Sequence, residues 1–240
     1  MDLRKLSHSW FSKFYNENIY TYVEKRFLPI VIEYLAHIDG PILDAGCGAG
    51  NPYLEEMCIN RSCLFGIDID PSVTSKNKLC GNFIIEDLHH FKIETKFKAI
   101  ISVNTWEHLL SPSIVLKNLY NSLSNEGILV IIGSQRWHYI SIIERILPLS
   151  IKNLAWRLLK GRSNMPYPTF YYFCSKRILF VEAYRQKYEL IHFSSLEGPP
   201  IWFAKIPPLF IMAALIMPIL NRYHIFEGIR GSFIAVLRKK

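Results

Sequence analysis

The sequence predicts an α/β fold, with buried strands in a central sheet and helices on both of its faces. Three observations predict it. The run Ile42-Leu43-Asp44-Ala45-Gly46-Cys47-Gly48-Ala49-Gly50-Asn51 reads as a strand that ends at an acid and enters a glycine loop. A second apolar run, Leu64-Phe65-Gly66-Ile67, stops at Asp68, 22 residues after Gly46. Three more strand-like runs follow, the last ending at Gly133, with a helical pattern before the last of them. At 240 residues, half of them hydrophobic, one domain with a sizeable core is the default.

The elements follow in order. Residues 28–38, with Leu28, Ile30, Val31, Ile32 and Leu35, form a helix that packs beside the first strand. After the glycine loop, Asn51 caps a helix and Pro52 fits its first turn, where no backbone donor is needed. Bare backbone there lets a ligand approach the positive end of a helix. A dinucleotide fingerprint would place its third glycine at 51, which is Asn, and this argues against a dehydrogenase. At the second strand, an acid about 20 residues past the loop suits ribose hydroxyls; Asp70 suits a helix cap better than Asp68 does. The third strand, from Asn82, runs into Glu86-Asp87-Leu88. His89 and His90 read as a solvated loop pair, and no partner at metal spacing accompanies them, so no metal site is expected. The fourth strand, Lys98–Asn104, leads to Thr105-Trp106-Glu107-His108 and a helix from Ser111-Pro112 to Leu123. Asn125-Glu126-Gly127 is a turn before the fifth strand, Gly127–Gly133.

The D-x-G-x-G-x-G loop resembles motif I of the class I S-adenosylmethionine-dependent methyltransferases. The Glu107-His108 pair after strand four is similar to the small-molecule subgroup that includes the ubiquinone-biosynthesis type. The resemblance implies a Rossmann-like seven-stranded sheet, with strand six at Glu189–Phe193 after a Ser-capped helix, Ser175–Gln186. Strand seven, Ser232–Leu237, would lie antiparallel between strands five and six. It implies one domain over 1–240: a helical cap at 1–37, a cofactor-binding core at 38–136, and insertions at 137–174 and 195–230. It implies S-adenosylmethionine as cofactor. Asp44, Gly46, Cys47, Gly48 and Gly50 would hold the methionine end, with Asn104 nearby. Asp68 would take the ribose, Ile69 and Leu88 would pack at the adenine, and Asp87 would accept from its amine. His108 or His138 would take the acceptor proton, as an imidazole has the right basicity. The competing reading of His108 is a loop brace, with its ring bonded to backbone. Trp106, Trp137, Tyr167 and Tyr171 are the candidate walls of the acceptor pocket, the two tyrosines within a proline-aromatic segment, Met165–Tyr172.

Charge divides the chain. Residues 136–240 hold 16 Lys+Arg and 5 Asp+Glu, against 12 and 15 in the rest. That asymmetry points to an anionic surface or substrate. The basic residues are dispersed among Ile, Leu and Trp, and no nucleic-acid motif is present, so no nucleic acid is expected. The tip of strand four also lacks the Asn/Asp-Pro-Pro-Tyr/Phe element of many base and glutamine methylases. Residues 137–160 fit two short amphipathic helices with a basic face, as an interfacial anchor or as a lid. Residues 201–220 approach bilayer length. However, Lys205 and three prolines interrupt them, and Leu209–Met217 is an uninterrupted apolar run of only nine residues. If strand seven returns to the sheet, both ends of this segment lie on one side, which rules out a single crossing. An interfacial insertion and a buried, substrate-lining helix remain.

Residues 1–40 carry no secretory pattern, and five cysteines (Cys47, Cys58, Cys63, Cys80, Cys174) without C-x-x-C spacing read as reduced thiols. The expectation is a cytoplasmic enzyme, in peripheral contact with the inner face of a membrane, acting on a small apolar, lipid-linked or glycan-containing acceptor. The alternative is a non-catalytic membrane-associated protein that keeps the fold, or a methyltransferase of protein or nucleic acid. The intact glycine loop and both nucleoside acids argue against loss of catalysis.

Overall fold

The structure, a computed structural model, describes residues 3–57, 59–148, 151 and 167–240. Its centre is a sheet of β1 (Ile42–Ala45), β2 (Leu64–Asp68), β3 (Asn82–Ile85), β4 (Phe97–Val103), β5 (Leu123–Ser134), β6 (Tyr188–Leu196) and β7 (Ser232–Lys239). The spatial order is β3-β2-β1-β4-β5-β7-β6. The first five strands are parallel, and β7 is antiparallel to both its neighbours. The sheet has the seven strands and the antiparallel last strand that the resemblance implies.

Successive strand residues point to opposite faces, and here both faces are apolar. Leu43, Ile100, Leu129 and Ala235 join one core; Ile42, Ile101, Val130 and Val236 join the other. The first core is covered by α5 (Pro112–Ser122) and α7 (Lys176–Arg185), through Val115, Leu119, Leu179 and Ala183. The second is covered by α2 (Tyr22–Leu35), α3 (Pro52–Glu56) and α4 (Val73–Lys76). Helix α2 starts six residues earlier than the 28–38 reading and runs through Pro29, because Tyr22, Phe27, Val31 and Leu35 are all buried along it. At α7, Ser175 occupies the cap position, but its side chain makes no capping bond. Strand β5 is longer than predicted. Its pairing with β4 jumps from Leu123 to Ile128, and the predicted turn lies in that irregularity, with Glu126 at φ +58°.

The insertion between β6 and β7 forms α8 (Pro207–Arg222), with Pro207 and Pro208 in its first turn. It packs on α1 (Leu3–Tyr15) around a third core of Phe11, Ile19, Tyr22, Phe210, Ala214 and Met217. The N-terminal helix therefore lies on α8, and the sheet's ligand-facing edge is approached by the α1–α2 connection instead. No helix among the described residues is long and apolar enough to cross a membrane. Of the 137–160 segment, Tyr139–Ile146 forms α6; the expected second helix lies outside the described residues. Cys47, Cys63, Cys80 and Cys174 are free thiols, and Cys58 lies outside the described residues.

Arg230 ties the insertion to the sheet. Its buried guanidinium donates to the carbonyls of Leu220, Asn221 and Tyr223 at the end of α8 and to that of Ser195 on β6, at 2.8–3.2 Å. A cation there satisfies carbonyls that a helix end leaves without donors. Replacing Arg230 with Ala strands these acceptors. The expected loss is about 2–3 kcal/mol, read by urea denaturation, with faster amide exchange in α8.

Candidate active site

The strand order places β1 beside β4, with β2 and β3 on one side and β5 on the other. Ligands of open α/β sheets bind at the carboxyl ends of the strands where the order reverses in this way. A cavity of about 710 Å³ opens there. Its wall is built from the strand tips, and it holds Asp44, Gly46, Cys47, Gly48, Gly50, Asp68, Ile69, Asp87, Leu88 and Asn104 together.

Gly46, Gly48 and Gly50 all have positive φ (+79°, +45° and +144°), the region that favours glycine. At Gly46 a Cβ would also collide with the Thr105 side chain, which sits beneath the turn. The N–H groups of Gly46 and Cys47 both donate to the Ile67 carbonyl. Gly48 N–H donates to Asp68 Oδ2 at 2.9 Å, and Asp70 N–H to Asp68 Oδ1 at 3.0 Å. Asp68 therefore clamps the loop as well as facing the cavity. Asp70 accepts the Ser72 N–H and hydroxyl in a turn before α4; Ser72, not Asp70, occupies the cap position, and no side chain makes a capping bond there.

Asp44 is almost wholly buried. Asn51 Nδ2 donates to its Oδ1 at 3.0 Å while Asn51 Oδ1 caps α3 by accepting from Tyr53 N–H. Asp44 Oδ2 has no partner. Burial pushes this carboxyl up to about 7; the Asn51 bond works against the shift, and the charge of Asp68 adds to it. An orphaned, buried acceptor at the end of β1 fits a cationic or N–H-bearing ligand.

Asp87 departs from the simple picture. Its Oδ1 accepts from both the His89 backbone N–H (2.9 Å) and His89 Nδ1 (2.6 Å). His89 Nε2 accepts from Ser111 N–H, so the ring proton sits on Nδ1. Burial pushes the Asp87 carboxyl up, but the backbone and side-chain hydrogen bonds from His89 work against it and the net shift is downward. His89 is thus a half-buried brace and not the solvated residue the sequence suggested; His90 is exposed.

His108 lines the cavity, with Nδ1 2.8 Å from the Pro168 carbonyl. That bond assigns the proton of the neutral ring to Nδ1 and leaves Nε2 as its acceptor atom. Tyr167 meets the ring edge-on at 6.1 Å. Asn104, at φ +52°, ends β4 in a left-handed turn that Asn tolerates. Glu107 instead turns inward. Burial raises its carboxyl, while its backbone carbonyl accepts from Phe170 and Tyr171 N–H and anchors the 167–171 segment.

Four predicted residues lie elsewhere. Trp106 is a core residue stacked near Phe173, because the turn after β4 points it under the sheet. Tyr171 is buried, its hydroxyl bonded to Glu144. Trp137 is exposed, with the Arg136 and Arg145 guanidiniums over its ring. His138 begins α6 and faces Glu197 at 3.3 Å, outside the cavity wall. Of the predicted acceptor walls, Tyr167 alone lines the cavity, joined by Tyr20 and Glu24 from the α1–α2 region. Asn77 was also missed. Its Nδ2 donates to the Cys47 and Gly48 carbonyls, and its Oδ1 accepts from Leu79 and Cys80 N–H. A single Asn about 30 residues from the loop it holds leaves no local signal.

A family model described as a methyltransferase domain matches residues 19–168. Malonyl-[acyl-carrier protein] O-methyltransferase of Bacillus anthracis is 31% identical over 105 residues, 40% of this chain and 38% of that protein's length. A SAM dependent methyltransferase from Archaeoglobus fulgidus superposes with TM-score 0.57 at 14% identity, covering 96% of this chain and 98% of that one. The N-methyltransferase NodS from Bradyrhizobium japonicum WM9, solved with S-adenosyl-l-homocysteine, gives TM-score 0.52 at 13% identity, covering 90% and 86%. At these identities the two structures speak for the fold.

The Asp44 carboxyl makes stability depend on pH. Between its ordinary value near 4 and its folded value of about 7, the folded chain holds a proton that the unfolded chain releases. Stability therefore falls as pH rises through that window, and the full cost remains above it. Asp44→Asn should remove this slope and stabilise the ligand-free chain at pH 8, measured by denaturant titration from pH 5 to 8. Gly46→Ala should destabilise by about 1–3 kcal/mol, since it forces an L side chain into the left-handed region against Thr105.

Proposed function

The chain belongs to the methyltransferase-domain family and uses S-adenosylmethionine, and we propose that it methylates a small molecule whose reacting end is uncharged. The observation that carries this reading is the charge of the cavity wall. Glu24, Asp44, Asp68, Glu86 and Asp87 line it, and no Lys or Arg does among the described residues. The matching ligand is cationic, as a sulfonium with an α-ammonium group is. The partnerless Asp44 oxygen suits the methionine end, together with Gly46, Cys47, Gly48, Gly50 and Asn104. Asp68 keeps lone pairs for ribose hydroxyls beyond its two backbone bonds, and Asp87 Oδ2 is left for the adenine amine. Ile69 and Leu88 supply apolar surface for the base.

When bound, the cofactor supplies an electrophilic methyl group that needs no further activation. The protein's work is then placement and exclusion of water. Tyr20, Leu109, Leu110, Tyr167 and Pro168 form an aromatic and apolar mouth beside His108. His108 Nε2 takes the acceptor proton while the Pro168 carbonyl holds the ring's other nitrogen in its protonated form. A carboxylate acceptor of the kind named for the Bacillus relative would meet this acidic wall without a cation among the described residues. An acceptor that is apolar at its reacting end, including one linked to a lipid or glycan, suits the wall better.

Calorimetry with S-adenosylhomocysteine tests the cofactor site. Wild type should bind, and Asp68→Ala should weaken binding by about ten- to a hundredfold; a folded wild type that does not bind overturns the reading. Labelled methyl transfer to lipid and glycolipid extracts identifies the acceptor. On that acceptor, His108→Gln should lose about 10²–10⁴ in kcat with the cofactor affinity kept. His138→Ala should turn over normally. Normal turnover by His108→Gln removes the base assignment.

A further inference from the structure

Helix α8 is apolar on two opposite sides. It buries Phe210, Ala214 and Met217 on one. On the other it presents Met212, Leu215, Ile216 and Ile219, each between 43% and 54% exposed. A surface helix ordinarily turns charged residues outward on that side. The only charged side chain within α8 is Arg222, in its last turn.

Helix α1, packed on the buried side of α8, adds exposed apolar residues of its own. Ser7 Oγ donates to the Ala204 carbonyl and the Tyr15 hydroxyl to that of Ala214, so the two helices run parallel. Trp10 lies edge-on to Phe210 and stacks on Phe14, which is 59% exposed. Leu3 and Leu6 are exposed on the same helix. Exposed apolar residues gathered on two packed helices mark an interaction site.

Charge identifies the occupant. Residues 3–16 and 198–226 contain no Asp or Glu, whereas Arg4, Lys5, Lys13, Lys205 and Arg222 lie within them. The cavity takes none of the chain's Lys or Arg among its described lining residues. Among the described residues, the Lys and Arg side chains of these two segments therefore do not serve the cavity. We propose that the α1–α8 face lies in the interfacial region of an anionic lipid bilayer, as an in-plane anchor. Aromatic and aliphatic side chains beside Lys and Arg are the composition such anchors use. Two geometric facts exclude a crossing by this helix. The 16 residues of α8 rise only about 24 Å, short of a hydrocarbon core of about 30 Å. Strands β6 and β7 are also neighbours, so both ends of the insertion return to one sheet edge. A second copy of the chain is the poorer occupant, since two such faces would bring Lys5, Lys13 and Arg222 of each copy together, and neither segment contributes an acid to meet the other's cations. Tyr20, which follows α1, lines the cavity, so the face and the cavity mouth adjoin.

Vesicle sedimentation tests this without reference to turnover. Wild type should pellet with phosphatidylcholine vesicles carrying about one-third phosphatidylglycerol, much less with phosphatidylcholine alone, and should be released by salt. The double variant Met212→Glu/Ile216→Glu should lose at least about tenfold in vesicle affinity. Its melting temperature and S-adenosylhomocysteine affinity should match wild type, because both positions are exposed and neither lines the cavity. A wild type that stays in the supernatant, a double variant that pellets equally, or equal binding to both vesicle types overturns the proposal. A wild-type dimer in light scattering that the double variant splits assigns the face to a second copy instead.

Discussion

The bond from the Gly48 backbone N–H to the Asp68 carboxylate is the contact on which the ligand-facing edge depends. It joins the loop after β1 to the tip of β2, and so fixes two walls of the cavity against each other. Three glycines at positive φ make that loop possible, but they also make it soft. Its rigidity comes from outside: Asp68 holds one N–H, the Ile67 carbonyl holds two more, and Asn77 donates to two of its carbonyls. A loop with no side chains to pack is fixed by the polar groups around it.

The same edge carries a cost. Asp44 is buried with one oxygen unpaired, and Asp68 stands near enough to oppose its ionisation. A fold selected for stability alone would avoid this. Retained strain and unpaired charge are common where a ligand supplies the missing partner. The acidic cavity also gives the net charge of +8 a structural meaning. The cavity wall is negative, and none of the described Lys or Arg residues of the C-terminal half lines it. An anionic acceptor and an anionic surface were equally open on composition; the distribution of charge in space favours the surface.

Much of the core was legible because it is local. The strand-to-acid pattern at Asp44, Asp68 and Asp87 needs only a few residues to read, and the parallel sheet brings the three tips to one edge. The Asn51 cap and Pro52 turn are equally local. The acceptor side was read poorly for the opposite reason. Trp106, Tyr167 and Tyr171 are all aromatics near the expected mouth, yet only Tyr167 reaches it. Trp106 is turned into the core beside Phe173, and Tyr171 is drawn inward by Glu144 and the Glu107 carbonyl. Nothing in the spacing of these residues separates a wall from a core filler.

The sequence by itself determined the α/β class, the order of the first five strands, the glycine loop and the acids that face it. These depend on backbone geometry within short windows, where residue type and spacing are enough. Tertiary structure decided that His108 and not His138 meets the cavity, that His89 is bonded between Asp87 and Ser111, that Asn77 holds the glycine loop, and that Arg230 ties the end of α8 to β6. It also decided that α8 pairs with α1 and leaves an apolar face outward. Most of those outcomes turn on hydrogen bonds and packing between residues about ten to nearly two hundred positions apart, and such pairings exist only once the chain has folded around the sheet.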